Sequence, residues 1–584
     1  MVENLIMGSI LSIDWGSVES KAFLLDKADG SYRLLAKGRA PTWGLTSEEN
    51  PLVGFREAIT RLEQAVGRKI LGEQGYPLLP EREMEGVDAL TISVSLAPPL
   101  RVMLVGLSEE LSLSVAREAL HSYYAQEVGS FSFLGVPDKS RRLEHLIKTF
   151  LSCKPDVVLM VGGTEGGAME PLIEMANMLA LAYSLWTDTE RPPVVFAGNS
   201  AARSQVAEIL GSRTEVRVTD NVLPSPEEEN WGSVFAELEN LYQQLKMSQI
   251  YGLGPLRSLL SVPMIPSASS FAIITRYLAH MYGLEKGVVG VDLGGSNTTV
   301  VAATKEHFSI TVRDELGFNR ALYFVEEDHL ENIMRWLPFE VESGKVAEII
   351  MERHLRPGTV PVSKEELLIE EAIAREILRE ALLLARKQWR AFLPSPHHGV
   401  MPPVDLITAT GGILGSIPQE GEIALILLDA LQPAGVVNLA VDKLGLSVTL
   451  GTLAPLNTAA AIQVLEMDTF TRLGVVVAPI GVAPEGELAL RMKVSFDDGR
   501  SLEVDVKAGA LEVIPLPPKR KAVLEIKPSG YFDLGIGAKG KGAKVEVQGG
   551  SLGIIIDARG RPLRLPPSPR DRMEKIQKWL WEIG

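Results

Sequence analysis

Short apolar runs recur along the chain, and two of them end alike. The first, opening at Ile10, reaches Asp14, breaks at Gly16-Ser17 and resumes through Lys21 to Asp26. The second, opening at Val289, reaches Asp292, breaks at Gly294-Gly295-Ser296 and resumes through Thr298 and Thr299 to Ala303. Each pattern predicts a strand, a tight glycine turn and a returning strand. A third buried-looking run, from Val404 to Thr410, ends in Gly411-Gly412 before another apolar segment.

The rest of the patterning divides the chain. Residues 100 to 225 alternate strand and helix, with apolar runs starting at Leu100, Asp156, Pro192 and Thr214. Continuous apolar strands of that kind belong to a parallel sheet covered on both faces, so a small doubly wound α/β subdomain inserted into a first lobe is expected. Ligands of such sheets lie at the carboxyl ends of the strands. Gly162, Gly163, Thr164, Glu165 and Asn199 fall there and form a secondary candidate site, with a plain strand-to-helix turn as the simpler reading. Farther on, Ser363 and Glu366 form a capping box for a helix running to about Trp389. On it Glu370, Glu371, Arg375 and Glu380 read as the solvated face. From about Leu473 short alternating strands between Gly, Pro and Asp turns read as a separate all-β module, a barrel or a sandwich. A Pro-rich stretch then leads to a helix bearing Met573, Ile576, Trp579 and Leu580, expected to dock on its own chain. The organisation predicted is a first lobe over residues 1–287 with its insert at about 100–225, a second lobe over 288–470, a β-rich module over 471–565 and a terminal helix over 566–584.

The residue types in the hairpins suit phosphate chemistry. A strand-end carboxylate, as at Asp14 and Asp292, can hold a hydrated Mg²⁺ without being buried unpaired. Gly16, Gly294 and Gly295 let the backbone come close to a phosphate, and Ser17, Ser296, Thr298 and Thr299 add hydroxyl donors. Gly411 and Gly412 let a sugar and its first phosphate lie against bare backbone. One such turn is ordinary loop chemistry, but two copies and a third glycine pair, in order, predict two related halves closing on one nucleotide. No Walker-type G-x-x-x-x-G-K-[ST] is present.

Composition narrows the class. With 584 residues, 46% hydrophobic and 23% charged, the chain is globular and long enough for several cores. A formal net charge of −16 argues against sequence-independent nucleic-acid binding, which needs clustered Lys and Arg. No apolar run approaches the roughly 20 residues of a bilayer span, no signal-like segment opens the chain, and a start at Met7 would leave the first strand whole. A single cysteine, Cys153, excludes an internal disulfide and fits a reducing cytoplasm. His397-His398, in a Pro-flanked loop, read as solvated rather than metal-binding.

The order of the motifs resembles the actin, Hsp70 and sugar-kinase superfamily, in which a two-lobed, ribonuclease H-like α/β ATPase holds its nucleotide between the lobes. Within it the chain is similar to the MutL/GlmL family, the glutamate mutase accessory proteins. The likeness rests on DWGSVESK, LMVGGTEGG, VVFAGN, DNVLP, GVDLGGSNTTV, RWLP, RPGTVPVSKEELLIEEAIAREI, DLITATGGILG and LILLDALQPAGV, in that order. Trp15 and Glu19 stand where a more hydroxyl-rich loop is common, and Glu165 where an aspartate is expected. The resemblance implies ATP and Mg²⁺ as cofactors, Asp14 and Asp292 as the catalytic and Mg²⁺-organising pair, and Lys21 as a phosphate contact. It also implies a chaperone or reactivating role toward an adenosylcobalamin-dependent glutamate mutase. A small-molecule kinase on the same fold and an ATP-binding scaffold for another client protein are the alternative readings.

Overall fold

The computed structural model describes residues 8–42, 50–120, 123–136, 138–187, 191–250, 252–282, 284–389, 393 and 400–584; His397, His398 and Met7 lie outside them. The chain forms two compact units, one of residues up to Leu96 together with Pro255–Gly584, the other of Ala97–Gly254.

In the first unit, β1 (Ile10–Trp15), β2 (Glu19–Ala28) and β3 (Ser31–Pro41) form an antiparallel meander. Next to β1 lies β4 (Ala89–Val94), parallel to it, and then β10 (Ile265–Pro266), parallel to β4. A second sheet repeats this layout. There β11 (Val288–Leu293), β12 (Thr298–Ala303) and β13 (Phe308–Arg313) make the meander, and β14 (Leu406–Thr410) and β15 (Gly435–Val441) follow in parallel on the other side of β11. The central strands are buried on both faces, which is why they read as unbroken apolar runs.

The second sheet does not stop at β15. β16 (Thr471–Ala478) pairs with β15, β22 (Gly553–Asp557) runs parallel to β16, and β19 (Leu511–Ile514) closes the edge, giving eight strands. A four-stranded sheet of β18 (Ser501–Lys507), β17 (Leu488–Phe496), β20 (Lys521–Pro528) and β21 (Ala543–Gln548) faces it. Val475, Val477, Ile554 and Ile556 of one sheet and Leu490, Met492, Leu524 and Ile526 of the other share one core. Residues 471–565 therefore supply both faces of a sandwich, and one of those faces, β16, β22 and β19, continues the second-lobe sheet, so they are not a separate module. The terminal helix Pro569–Ile583 buries Ile576, Trp579 and Ile583 in the second-lobe core.

The helix Lys364–Trp389 begins at the capping box, where Glu366 N donates to Ser363 Oγ at 3.1 Å and Val362 N to Glu366 Oε2 at 2.9 Å. Its charged residues are not a solvated face. Glu370, Glu371 and Arg375 are buried, and Glu380 is half-buried. Burial is tolerated because partners meet them: Arg375 Nε lies 3.0 Å from Asp429 Oδ2, and Asp429 Oδ1 accepts from Arg559 Nη1 at 2.8 Å. Arg559 in turn pairs with Asp557 at 2.9 Å.

The second unit is a five-stranded parallel sheet in the order β6 (Ala125–Ser132), β5 (Leu100–Gly106), β7 (Val157–Gly162), β8 (Val194–Gly198), β9 (Val216–Val218). Helices Lys139–Cys153, Glu170–Ser184 and Arg203–Gly211 connect its strands. This is the doubly wound 2-1-3-4-5 order.

Candidate nucleotide site

The hairpin register sets the first half of the site. Asp14 stands directly across from Lys21, and Lys21 Nζ lies 3.4 Å from Asp14 Oδ2. Ser267, first residue of the helix Ser267–Met281, donates to Asp14 Oδ1 at 2.9 Å. Burial pushes the Asp14 carboxyl above its ordinary value, with Lys21 and Ser267 pulling it back. Burial alone would lower Lys21, but Asp14, Glu19, Asp292 and Asp442 hold it above its usual value.

In the second half Asp292 stands across from Thr299, and no hydrogen bond to its carboxylate forms among the described residues. Burial pushes it up to about 7; Lys21 opposes this, and Asp14 and Asp442 add to it. Asp442, just after β15, is held differently. It accepts from the backbone N–H of Leu444, Gly445 and Ser447 at 3.0, 2.8 and 2.7 Å and so turns the chain into the helix Ser447–Leu453. At Gly445 (φ +73°) a β-carbon would lie 2.6 Å from Lys21 Nζ, so only glycine leaves the lysine its place.

The two turns meet: the Ser296 hydroxyl donates to that of Ser17. Gly411 (φ +118°) packs on β11, where a β-carbon would stand 2.2 Å from the Leu293 carbonyl, whereas Gly412 faces open space. Asp14, Gly16, Ser17, Lys21, Asp292, Gly294, Gly295, Ser296, Gly411 and Gly412 all line one cavity of about 650 Å³, a size that suits a nucleotide. Thr298 and Thr299 do not. They already belong to β12 and are fully buried, and the Thr298 hydroxyl donates to the Leu316 carbonyl at 2.7 Å. Trp15 is core, its ring tilted against that of Phe55, and Glu19 pairs with Arg39 at 3.0 Å on the cavity wall.

Several lining residues had no sequence signal of their own. Ser267 is one. Asn319 is another: its N–H donates to the Gly295 carbonyl at 2.9 Å, its own carbonyl meets His354 Nδ1 at 3.0 Å, and its buried Oδ1 has no partner. Residues 357–363 also line the cavity, tethered by Arg353, which pairs with Glu370 at 2.6 Å and donates to the Thr359 carbonyl. Asp442, by contrast, closes an apolar run just as Asp14 and Asp292 do, and that repetition was visible in the sequence.

The second unit carries the other candidate loop at the carboxyl end of β7 and β8. Burial would raise Glu165, but donors from Ser200 and Asn221 hold it below the ordinary carboxylate range. Asn221 Nδ2 also reaches the Gly163 carbonyl at 2.9 Å, and Asn199 Nδ2 the Gly167 carbonyl at 3.0 Å. Gly162, Gly163, Thr164, Glu165 and Asn199 thus sit in a turn whose polar groups largely satisfy one another.

Among the described residues no group of three or more His, Cys, Asp or Glu side chains could hold a metal ion directly. Mg²⁺ keeps most of its waters and takes one or two carboxylates together with substrate phosphates. Asp14 and Asp292, both lining the cavity, fit that mode of holding. No helix among the described residues is long and apolar enough to cross a membrane.

A meander followed by two parallel strands, built twice, with each copy's strand-end aspartate opening on a shared cavity, defines a two-lobed actin-like, ribonuclease H-like protein. More narrowly, the chain belongs to the MutL protein family, whose model matches residues 10–469. It is 25% identical over 389 residues to Protein MutL of Clostridium tetanomorphum, covering 63% of this chain and 77% of that protein. Among solved structures it is similar to nucleotide-free acetone carboxylase, at 10% identity and a TM-score of 0.34 over 86% of this chain and 81% of that one. It is also similar to diol dehydratase-reactivating factor in nucleotide-free form, at 10% identity and a TM-score of 0.28 over 78% of this chain and 99% of that one. Likenesses that loose transfer no residue roles.

Proposed function

We propose that the protein hydrolyses ATP between its two lobes and uses the resulting change of shape to reactivate or chaperone a cobalamin-dependent mutase, glutamate mutase being the client that the family resemblance implies. The observation that carries the ATPase reading is the convergence of Asp14, Lys21 and Asp292 with three glycine turns on one cavity.

Each group has a distinct task. Lys21, held charged among acids, sits where negative charge gathers on the transferring phosphoryl group. Ser17 and Ser296, already touching across the two turns, offer hydroxyls to phosphate oxygens, and a nucleotide inserted there would exchange their mutual contact for contacts to itself. Gly411 and Gly412 take the adenosine side, and residues 357–363 line the same cavity. Mg²⁺, held through water by Asp14 and Asp292, would neutralise the β- and γ-phosphates. Asp292, free of protein donors and titrating at about 7, is the carboxylate placed to orient and deprotonate an attacking water at neutral pH. A ligand that favours the closed over the open arrangement of the lobes then shifts that equilibrium, which is how hydrolysis becomes motion.

Phosphate release from Mg-ATP, with and without a glutamate mutase holding inactivated cobalamin, tests this. Asp292→Asn is expected to slow release at least about tenfold, a loss of at least roughly 1.4 kcal/mol of transition-state stabilisation. Unchanged turnover in that variant removes the assignment of the base. Turnover indifferent to the mutase removes the client and leaves the ATPase.

A further inference from the structure

The β-sandwich of the first unit has an open flank. Beside β15 and β16, under the edge strand β21, lies a second cavity of about 430 Å³. Its floor is apolar, formed by Val436, Val475, Leu534 and Val545. Its rim carries three cations, Lys286, Arg472 and Lys521, and two carboxylates. Glu546 pairs with Lys521 Nζ at 2.9 Å, and Asp405 Oδ2 accepts from the backbone N–H of Lys286 at 2.7 Å.

Arg472 stands apart from this arrangement. It is half-buried, and of the five donors of its guanidinium one makes a 3.4 Å hydrogen bond to the Gln548 carbonyl. Burial holds it below its usual value, and among the described residues the group that opposes this is Tyr282, not a carboxylate. A partly desolvated cation without a counter-charge is costly to the fold, and a guanidinium fork matches an oxyanion in both shape and charge. The neighbouring Lys286 ammonium is exposed on the same rim.

We propose that this slot binds a small organic oxyanion, a carboxylate or phosphate ester on a short apolar body, with the head group on Arg472 and Lys286 and the body against the valine-lined floor. The proposal is independent of the nucleotide site, since the two cavities share no lining residue.

Isothermal titration of the full chain with octanoate, octyl phosphate and octanol tests it. Binding of either anion is expected, with octanol at least about tenfold weaker; the tighter anion names the head group. Arg472→Gln is expected to weaken that anion at least about tenfold, and Lys286→Gln, at an exposed position where folding is not at stake, about threefold. Absence of binding by both anions, equal binding of octanol, or unchanged affinity in both variants overturns the proposal.

Discussion

Asp14 and Asp292 occupy matching positions in matching sheets, yet only one is tied down. Across the hairpin from Asp14 stands Lys21; across from Asp292 stands Thr299. The helix that follows the last parallel strand opens with a serine in both halves. Ser267 donates to Asp14, while the buried Ser447 hydroxyl has no partner among the described residues. The frame was thus duplicated and the polar contacts were not. One aspartate is fixed by a lysine and a hydroxyl; the other accepts no hydrogen bond among the described residues, and burial, opposed by Lys21 from a distance, pushes it up to about 7. The proposed division into a holding carboxylate and a reacting one rests on that asymmetry.

The comparison is most severely strained by Lys21→Met, which leaves Asp14 buried without its cation. A loss of about 3 kcal/mol in urea unfolding is expected; a loss under about 1 kcal/mol would mean that Asp14 does not depend on the pair. Next comes the pH dependence of Asp292→Asn in the ligand-free protein. Burial in the fold pushes the Asp292 carboxyl from its ordinary value of 3.8 up to about 7. Between those values the unfolded chain gives up its proton first, so wild-type stability falls as pH rises through that window. The variant lacks this penalty and is expected to be the more stable of the two at pH 8 and equal to wild type at pH 3, read by thermal unfolding. Parallel curves would show that Asp292 is as well compensated as Asp14. The smallest effect separates the two serines: Ser267→Ala is expected to cost about 1 kcal/mol, and Ser447→Ala close to nothing, in the same assay.

Much of the frame was legible because strand-end aspartates and glycine turns are local signals. β1, β11 and β14 each end where an apolar run meets Asp or Gly, and ten of the twelve nucleotide candidates line the cavity. Thr298 and Thr299 were misread because a loop of small polar residues does not announce where the returning strand begins; β12 already includes both. The charges of Lys364–Trp389 were misread for the opposite reason. Their partners Asp429 and Arg559 lie far along the sequence, so a charge next to its own neighbours looks solvated when it is in fact neutralised from afar. The fusion of β16, β22 and β19 to the second-lobe sheet was hidden in the same way, since strand pairing across that distance leaves no mark on periodicity.

That fusion has a mechanical consequence. Eight hydrogen-bonded strands form one plate from β13 to β19, about 34 Å across at the usual spacing between strands. A plate of that width is a lever arm. A tilt of about 5° at β11, which carries Asp292 five strands from β19, would be too small to disturb any single hydrogen bond yet would swing the far edge, about 24 Å away, by about 2 Å, enough to make or part a contact with whatever rests there.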